Sequence, residues 1–173
     1  MSRLGWTVSA VFTIAACKPE SARRADRAAK DVVEQREDVV EATKRSASVE
    51  EVLEEAGELV QAANAFEWQR SRRIMELRME HDLTASQAGV IGVLARDLPI
   101  TDAARGEINE KLSRLHSRLD EATNLIEGLA RVGVDTWEQR DDAATEAMKR
   151  LRAARKDAWE ALDDAPQIDR SAS

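Results

Sequence analysis

The 173-residue chain has no tyrosine, one cysteine, three prolines and seven glycines, and only 3% of it is aromatic. Each scarcity excludes something. A lone cysteine rules out an intramolecular disulfide, so this is not a disulfide scaffold. With so few glycines and prolines, and 34% of residues charged, the composition points to long solvated helices and not to sheets. A shortage of aromatics leaves Leu, Ile, Val and Ala to build the core. At about 25 cal/mol per Å² of buried apolar surface, an alanine-rich seam gives modest stability per turn, which predicts a lean bundle or hairpin. Basic residues number 26 against 33 acidic ones, a formal charge of −7. Such a surface repels phosphates and anionic headgroups, so no nucleic-acid partner is expected.

What is present is helical periodicity. Small and apolar residues recur at Ala22, Ala25, Ala29, Val32 and Val39, a weak seam. A second seam runs Val49, Leu53, Ala56, Val60, Ala63 and on through Ile74 and Leu77. Ser48 and Glu51 have the spacing of a capping box at its start, and Thr84 and Gln87 repeat that spacing ahead of a short helix over 85–97. Asp97-Leu98-Pro99 stops that helix, and Thr101 caps the next one. The best heptad follows: Ile108, Leu112, Leu115, Leu119, Ala122, Ile126, Leu129. Gly133 and Asp135 either make a turn or lie within one long helix. The last seam is Trp137, Ala144, Met148, Leu151, Ala158, Leu162. No segment alternates with a period of two. The expected fold is therefore all-α, an elongated antiparallel helical bundle or hairpin with coiled-coil-like seams, no β-sheet, and the 85–97 helix as its corner. Self-association as a coiled coil is the competing way to bury these seams.

Chemistry-bearing patterns are sparse. His81 and His116 have no second histidine or cysteine three or four residues away, so no metal site is expected. Asp120-Glu121 and Asp141-Asp142 read as solvated helix faces. There is no G-x-S-x-G elbow and no Gly-rich phosphate loop. These absences predict no catalytic residues, no small-molecule substrate and no enzymatic activity. One basic-aromatic cluster stands out: Phe66, Trp68, Arg70, Arg72 and Arg73. It reads either as a solvated face whose arginines pair with nearby glutamates or as a partner-docking patch, since Arg and Trp dominate interface hot spots.

The first seventeen residues carry the sharpest signal. Arg3 precedes an apolar run from Leu4 to Ala16, too short for a comfortable membrane span but suited to an export signal. The run ends Ile14-Ala15-Ala16-Cys17, which resembles the lipobox of bacterial lipoprotein precursors. That resemblance implies cleavage between Ala16 and Cys17, a diacylglyceryl group and an N-acyl chain on Cys17, and no other cofactor. Two or more acyl chains make a membrane anchor effectively stable. Lys18 stands where inner-membrane lipoproteins often carry Asp, which implies the outer membrane, facing the periplasm. The division expected is a signal peptide at 1–16, lipidated cysteine and tether at 17–24, a helical bundle at 25–165 and a disordered tail at 166–173.

Two weaker resemblances concern the remainder. Leu83-Thr84-Ala85-Ser86-Gln87 looks like the L-T-x-x-Q signature of Spy-type periplasmic chaperones, which cradle unfolded clients; a helix cap accounts for the same residues. Ala158-Trp159-Glu160-Ala161-Leu162 is similar to the A-W-x-x-L unit of Ala/Glu-rich helical envelope and stress proteins. Braun-type murein lipoprotein also joins a lipobox to a heptad helix but attaches to the wall through a C-terminal lysine, where this chain has Ser173. The expected role is a non-catalytic structural or protein-interaction one in the bacterial envelope, with a membrane partner through the lipid and either an envelope protein or a second copy as protein partner. A Spy-type stress chaperone is the alternative.

Overall fold

Four helices carry the chain: α1 (Glu20–Lys44), α2 (Val49–Asp97), α3 (Asp102–Leu129) and α4 (Val134–Asp163). This computed structural model describes residues 18–166, and among them there is no sheet. The expected cleavage and lipidation at Ala16 and Cys17, and the tail from 167 on, lie outside the described residues. No helix among those described is long and apolar enough to cross a membrane.

The organising element is α2. Its 49 residues make a rod about 74 Å long at 1.5 Å per residue. The first helix folds back along the N-terminal half of this rod, so that Ser21 comes to rest beside Arg73. Helices α3 and α4 lie along the C-terminal half. The third runs antiparallel, placing Thr123 against His81 and the Val132 carbonyl against Arg70. The fourth runs parallel, pairing Arg152 with Glu80. The first helix touches α2 and α4 but not α3. A helical hairpin and a three-helix bundle thus share one continuous rod, and they overlap near its middle.

Local chemistry sets most helix ends. The Ser48 hydroxyl accepts the Glu51 N–H at 3.2 Å, and Thr101 caps α3 by accepting from Ala104 N–H at 3.3 Å. The Glu51 carboxylate does not complete a capping box; it pairs with Arg45 across the turn. That turn bends through Ser46, whose φ of 56° is a left-handed conformation more natural to glycine. Residues 130–133 form a turn, with Gly133 at the N-cap of α4 and Asp135 inside its first turn.

The strong heptads bury as expected. Every position from Ile108 to Leu129 in that seam is buried, as are Trp137, Ala144, Met148, Leu151, Ala158 and Leu162. Phe66 meets Trp137 edge to face, with ring centroids 5.5 Å apart, where α2 and α4 cross.

Four expectations are corrected. Residues 85–97 are not a separate corner helix. Thr84 is fully buried within α2 and donates its hydroxyl to the Glu80 carbonyl at 2.9 Å, so it caps nothing. The corner is instead residues 98–101. The seam proposed from Val49 fails at its start, because Val49, Leu53 and Val60 are exposed, while Leu59, Ala62 and Ala63 lie against the core. The 17–24 tether is helical from Glu20, with Ala22 buried and Lys18 bonded into the body. Finally, Asp141 is not on a solvated face: it is wholly buried.

Candidate functional site

The five residues of the basic-aromatic cluster sit on consecutive turns of α2 and so point in different directions. Phe66 and Arg73 face the core. Arg70 is half-buried, donating to the Val132 carbonyl at 3.2 Å and pairing with Glu67 at 2.5 Å. Trp68 and Arg72 alone face outward, with the Arg72 guanidinium 5.8 Å from the Trp68 ring centroid. Arg72 also pairs with Glu76. The structure therefore splits the cluster into an inner part that holds helices together and an outer part available to a partner.

The inner part belongs to a buried ionic junction that joins α1, α2 and α4. Arg73 Nε donates to Asp141 Oδ1 at 2.8 Å, its Nη2 donates to Thr145 Oγ1 at 2.8 Å, and its Nη1 reaches Ser21 Oγ at 3.5 Å. Lys18 Nζ lies 2.6 Å from Asp26 Oδ2, 2.6 Å from Asp142 Oδ1 and 4.0 Å from Asp141 Oδ2. Burial pushes the Asp26 carboxyl above its usual range despite the hydrogen bond from Lys18, and the Asp141 charge adds to the push. Burial works against the Lys18 ammonium, but its bonds to Asp142 and Asp26 outweigh that and hold its pKa above the ordinary value. Arg73 bonds to α1 and α4, and Lys18 bridges Asp26 of α1 and Asp142 of α4, so the junction ties the three helices together at one level. Sequence periodicity contained a trace of it. Arg73 falls seven residues after Phe66, and Asp141 falls four after Trp137, so both lie on apolar seams.

The outer part is larger than the sequence reading allowed. Along α2, Trp68, Met75, Met79, Leu83, Val90 and Val93 are all exposed, with Met79 at 67%. At 100° per residue these positions share one face, opposite the buried stripe of Phe66, Leu77, Ala88 and Ala95. Gly89 and Ser86 lie on the same face, and a Cβ at Gly89 would meet nothing. The helix is therefore apolar on both sides, and the described residues cover only one of them. Such a face, roughly 500–700 Å² of apolar surface, lies at the upper end of the patch size usual for a monomer, where patches are often functional.

Other surfaces offer less. His81 bridges Thr123 and Asp82 at the α2–α3 seam, and His116 is exposed on α3. Among the described residues no group of three potential metal ligands converges. An open groove between α3 and α4 is lined by Lys111, Arg114, Arg118 and Arg150. Its positive charge is largely met by Glu121, which takes both Arg118 and Arg150, and by Glu110, which takes Arg114.

No protein-family model matches this chain, and neither the curated proteins nor the solved structures yield a match to it.

Proposed function

We propose that the protein is a lipid-anchored component of a bacterial envelope, held through Cys17 at the outer membrane facing the periplasm, and that it works without catalysis by protein contact through the outer face of α2. The observation that carries the contact role is that apolar face, uncovered for more than twenty residues of a single rigid helix. The anchor rests on Ile14-Ala15-Ala16-Cys17. The two are linked by Lys18, which is bonded into the junction beside Asp26 and Asp142. An acyl group on the preceding residue would thus leave the bundle at its waist, level with Arg73, with almost no tether. The body would be held close to the bilayer.

Two experiments test this. Metabolic labelling with a fatty acid should mark the native chain and not Cys17→Ser, which should also retain its signal segment; an unchanged label removes the anchor. A photo-crosslinking residue placed in cells at Met79 or Val90 should trap protein, whereas one at the exposed Asn124 of α3 should not. Equal trapping at all three positions removes the α2 face as the working surface.

The Spy-type chaperone reading draws on one further observation. Met75 and Met79 are exposed on this face, and flexible methionine surfaces accept varied apolar partners. A holdase would suppress aggregation of a reduced, unfolding client at equimolar ratio, and Met79→Glu would abolish the effect.

A further inference from the structure

The geometry points to a second copy of this chain as the occupant of the α2 face, paired antiparallel about a two-fold axis between Thr84 and Ala85. This inference rests on the reading of that face as the working surface.

The spacing of outward positions supports helix pairing. Arg72, Glu76, Met79, Leu83, Ser86, Val90, Val93 and Asp97 follow one another by alternating steps of three and four, the a/d pattern of a coiled-coil seam. It spans about 37 Å of uninterrupted helix. Its middle is apolar apart from Ser86 and its two ends are charged, with Arg72 and Glu76 at one and Asp97 at the other. Met75 and Trp68 widen the apolar strip alongside Arg72 and Glu76.

Charge then selects the arrangement. A parallel, in-register pair would stack Arg72 on Arg72, Glu76 on Glu76 and Asp97 on Asp97 of the two copies, three like-charge layers. In antiparallel pairing, each a residue meets a d residue of the other copy, and the registers differ by one heptad. One register sets Arg72 against Val90. Another sets Asp97 against Met79. The register between them sets Arg72 opposite Asp97 at both ends, Met79 opposite Val90 and Leu83 opposite Ser86. Glu76 then lies opposite Val93, within a turn of Arg96. Each end gathers Arg72 and Glu76 from one copy with Arg96 and Asp97 from the other, two positive and two negative charges. Gly89 falls across from Asp82 on the flank, where the absence of a side chain lets the backbones approach.

Among the described residues nothing obstructs this. Helices α1, α3 and α4 all lie on the opposite side of α2, against Phe66, Ile74, Leu77, Ala88 and Ile91. The apolar area available, with the stems of the flanking arginines, approaches the roughly 800 Å² per partner of a standard interface.

The full-length chain, purified in detergent, tests the inference by sedimentation equilibrium. A dimer is expected. Arg72→Glu and Asp97→Arg should each raise its dissociation constant by at least ~10-fold, and the double variant should return to within about threefold of the native value, because it restores opposite charges across the axis. All of these side chains are exposed, and circular dichroism checks that the helices persist. Independently, Met79→Cys combined with Val90→Cys should form a covalent dimer under mild oxidation, well beyond what either single variant or the native chain gives. A monomer up to about 100 μM overturns the proposal, as does preferential linkage of Met79→Cys to itself, the signature of a parallel pair. A monomer that still traps a different protein through Met79 in cells refutes self-pairing alone. Equally, a monomer that floats with phosphatidylethanolamine/phosphatidylglycerol vesicles only while Met79 and Leu83 are apolar assigns the face to lipid and refutes self-pairing. A monomer with no trapping at Met79 or Val90 refutes both readings together.

Discussion

Removing one partner of the buried Arg73–Asp141 pair should destabilise this protein more than removing both. Arg73 is 4% exposed and Asp141 is fully buried. In Asp141→Ala the guanidinium loses its 2.8 Å carboxylate contact and keeps only Thr145 and, at 3.5 Å, Ser21. At an effective dielectric near 20, a pair about 4 Å apart interacts by about 4 kcal/mol, and stranding a buried charge costs about 3–5 kcal/mol in comparable pairs. The expected loss for Asp141→Ala is therefore about 3–5 kcal/mol. Arg73→Met should lose a similar amount, since it leaves Asp141 with only the Lys18 ammonium at 4.0 Å. The double variant Arg73→Met/Asp141→Leu strands neither charge and adds apolar contacts beside Thr145 and Ser21. It should lie within about 1 kcal/mol of the native protein or above it. Urea unfolding of the four proteins, followed by circular dichroism at 222 nm, gives the cycle directly. Losses that simply add in the double variant, or single losses below about 1 kcal/mol, would refute the view of this junction as a coupled buried network.

Further predictions follow from single positions. Ser46→Gly relieves a left-handed residue at the α1–α2 turn and should raise stability by up to about 1 kcal/mol, or roughly 2–4 °C in melting temperature. Leu115→Ala, in the fully buried seam of α3, should cost about 2–5 kcal/mol, whereas Val49→Ala, 77% exposed, should change stability by less than about 0.5 kcal/mol; reversed sizes would place the core wrongly. The Asp26 carboxyl, raised by burial, contributes stability that is complete below its unfolded value and fades as pH rises through its folded one. Asp26→Asn should remove that part of the slope in unfolding free energy across the acid range. Lys18, also raised, acts at the other end. Its contribution is complete below the unfolded lysine value and is lost as pH rises through the folded one. Lys18→Met should therefore flatten the alkaline limb, measured by the same unfolding series.

The candidate site was only partly legible in the residues. Trp68 and Arg72 lie outside as a docking patch requires, but Phe66 and Arg73 from the same cluster lie inside. Five arginines or aromatics within eight residues cannot all share one face of a helix, and linear proximity hid that. Met75, Met79, Leu83, Val90 and Val93 were not recognised as one exposed face because apolar residues at helical spacing are ordinarily read as core. Thr84 misled for a related reason. A threonine followed three residues later by glutamine fits a cap, yet the same hydroxyl serves as well in mid-helix by bonding back to Glu80.

What the sequence alone determined is the set of helices whose pattern is internal to one segment. The α3 heptad from Ile108 to Leu129, the α4 seam from Trp137 to Leu162, and the caps at Ser48 and Thr101 depend on spacings of three and four residues, which the chain states directly. Tertiary structure alone decided three other matters. It carried α2 unbroken through Gly89 and Gly92, because Ala88, Ile91 and Ala95 gain burial against the bundle that outweighs the poor propensity of those glycines. It buried Arg73 and Asp141, since each is tolerable inside only where the other, 68 residues and a whole helix away in the chain, arrives to meet it. Among the described residues it also left the far side of α2 bare, because α1, α3 and α4 all settle on one side of a helix that is apolar on two.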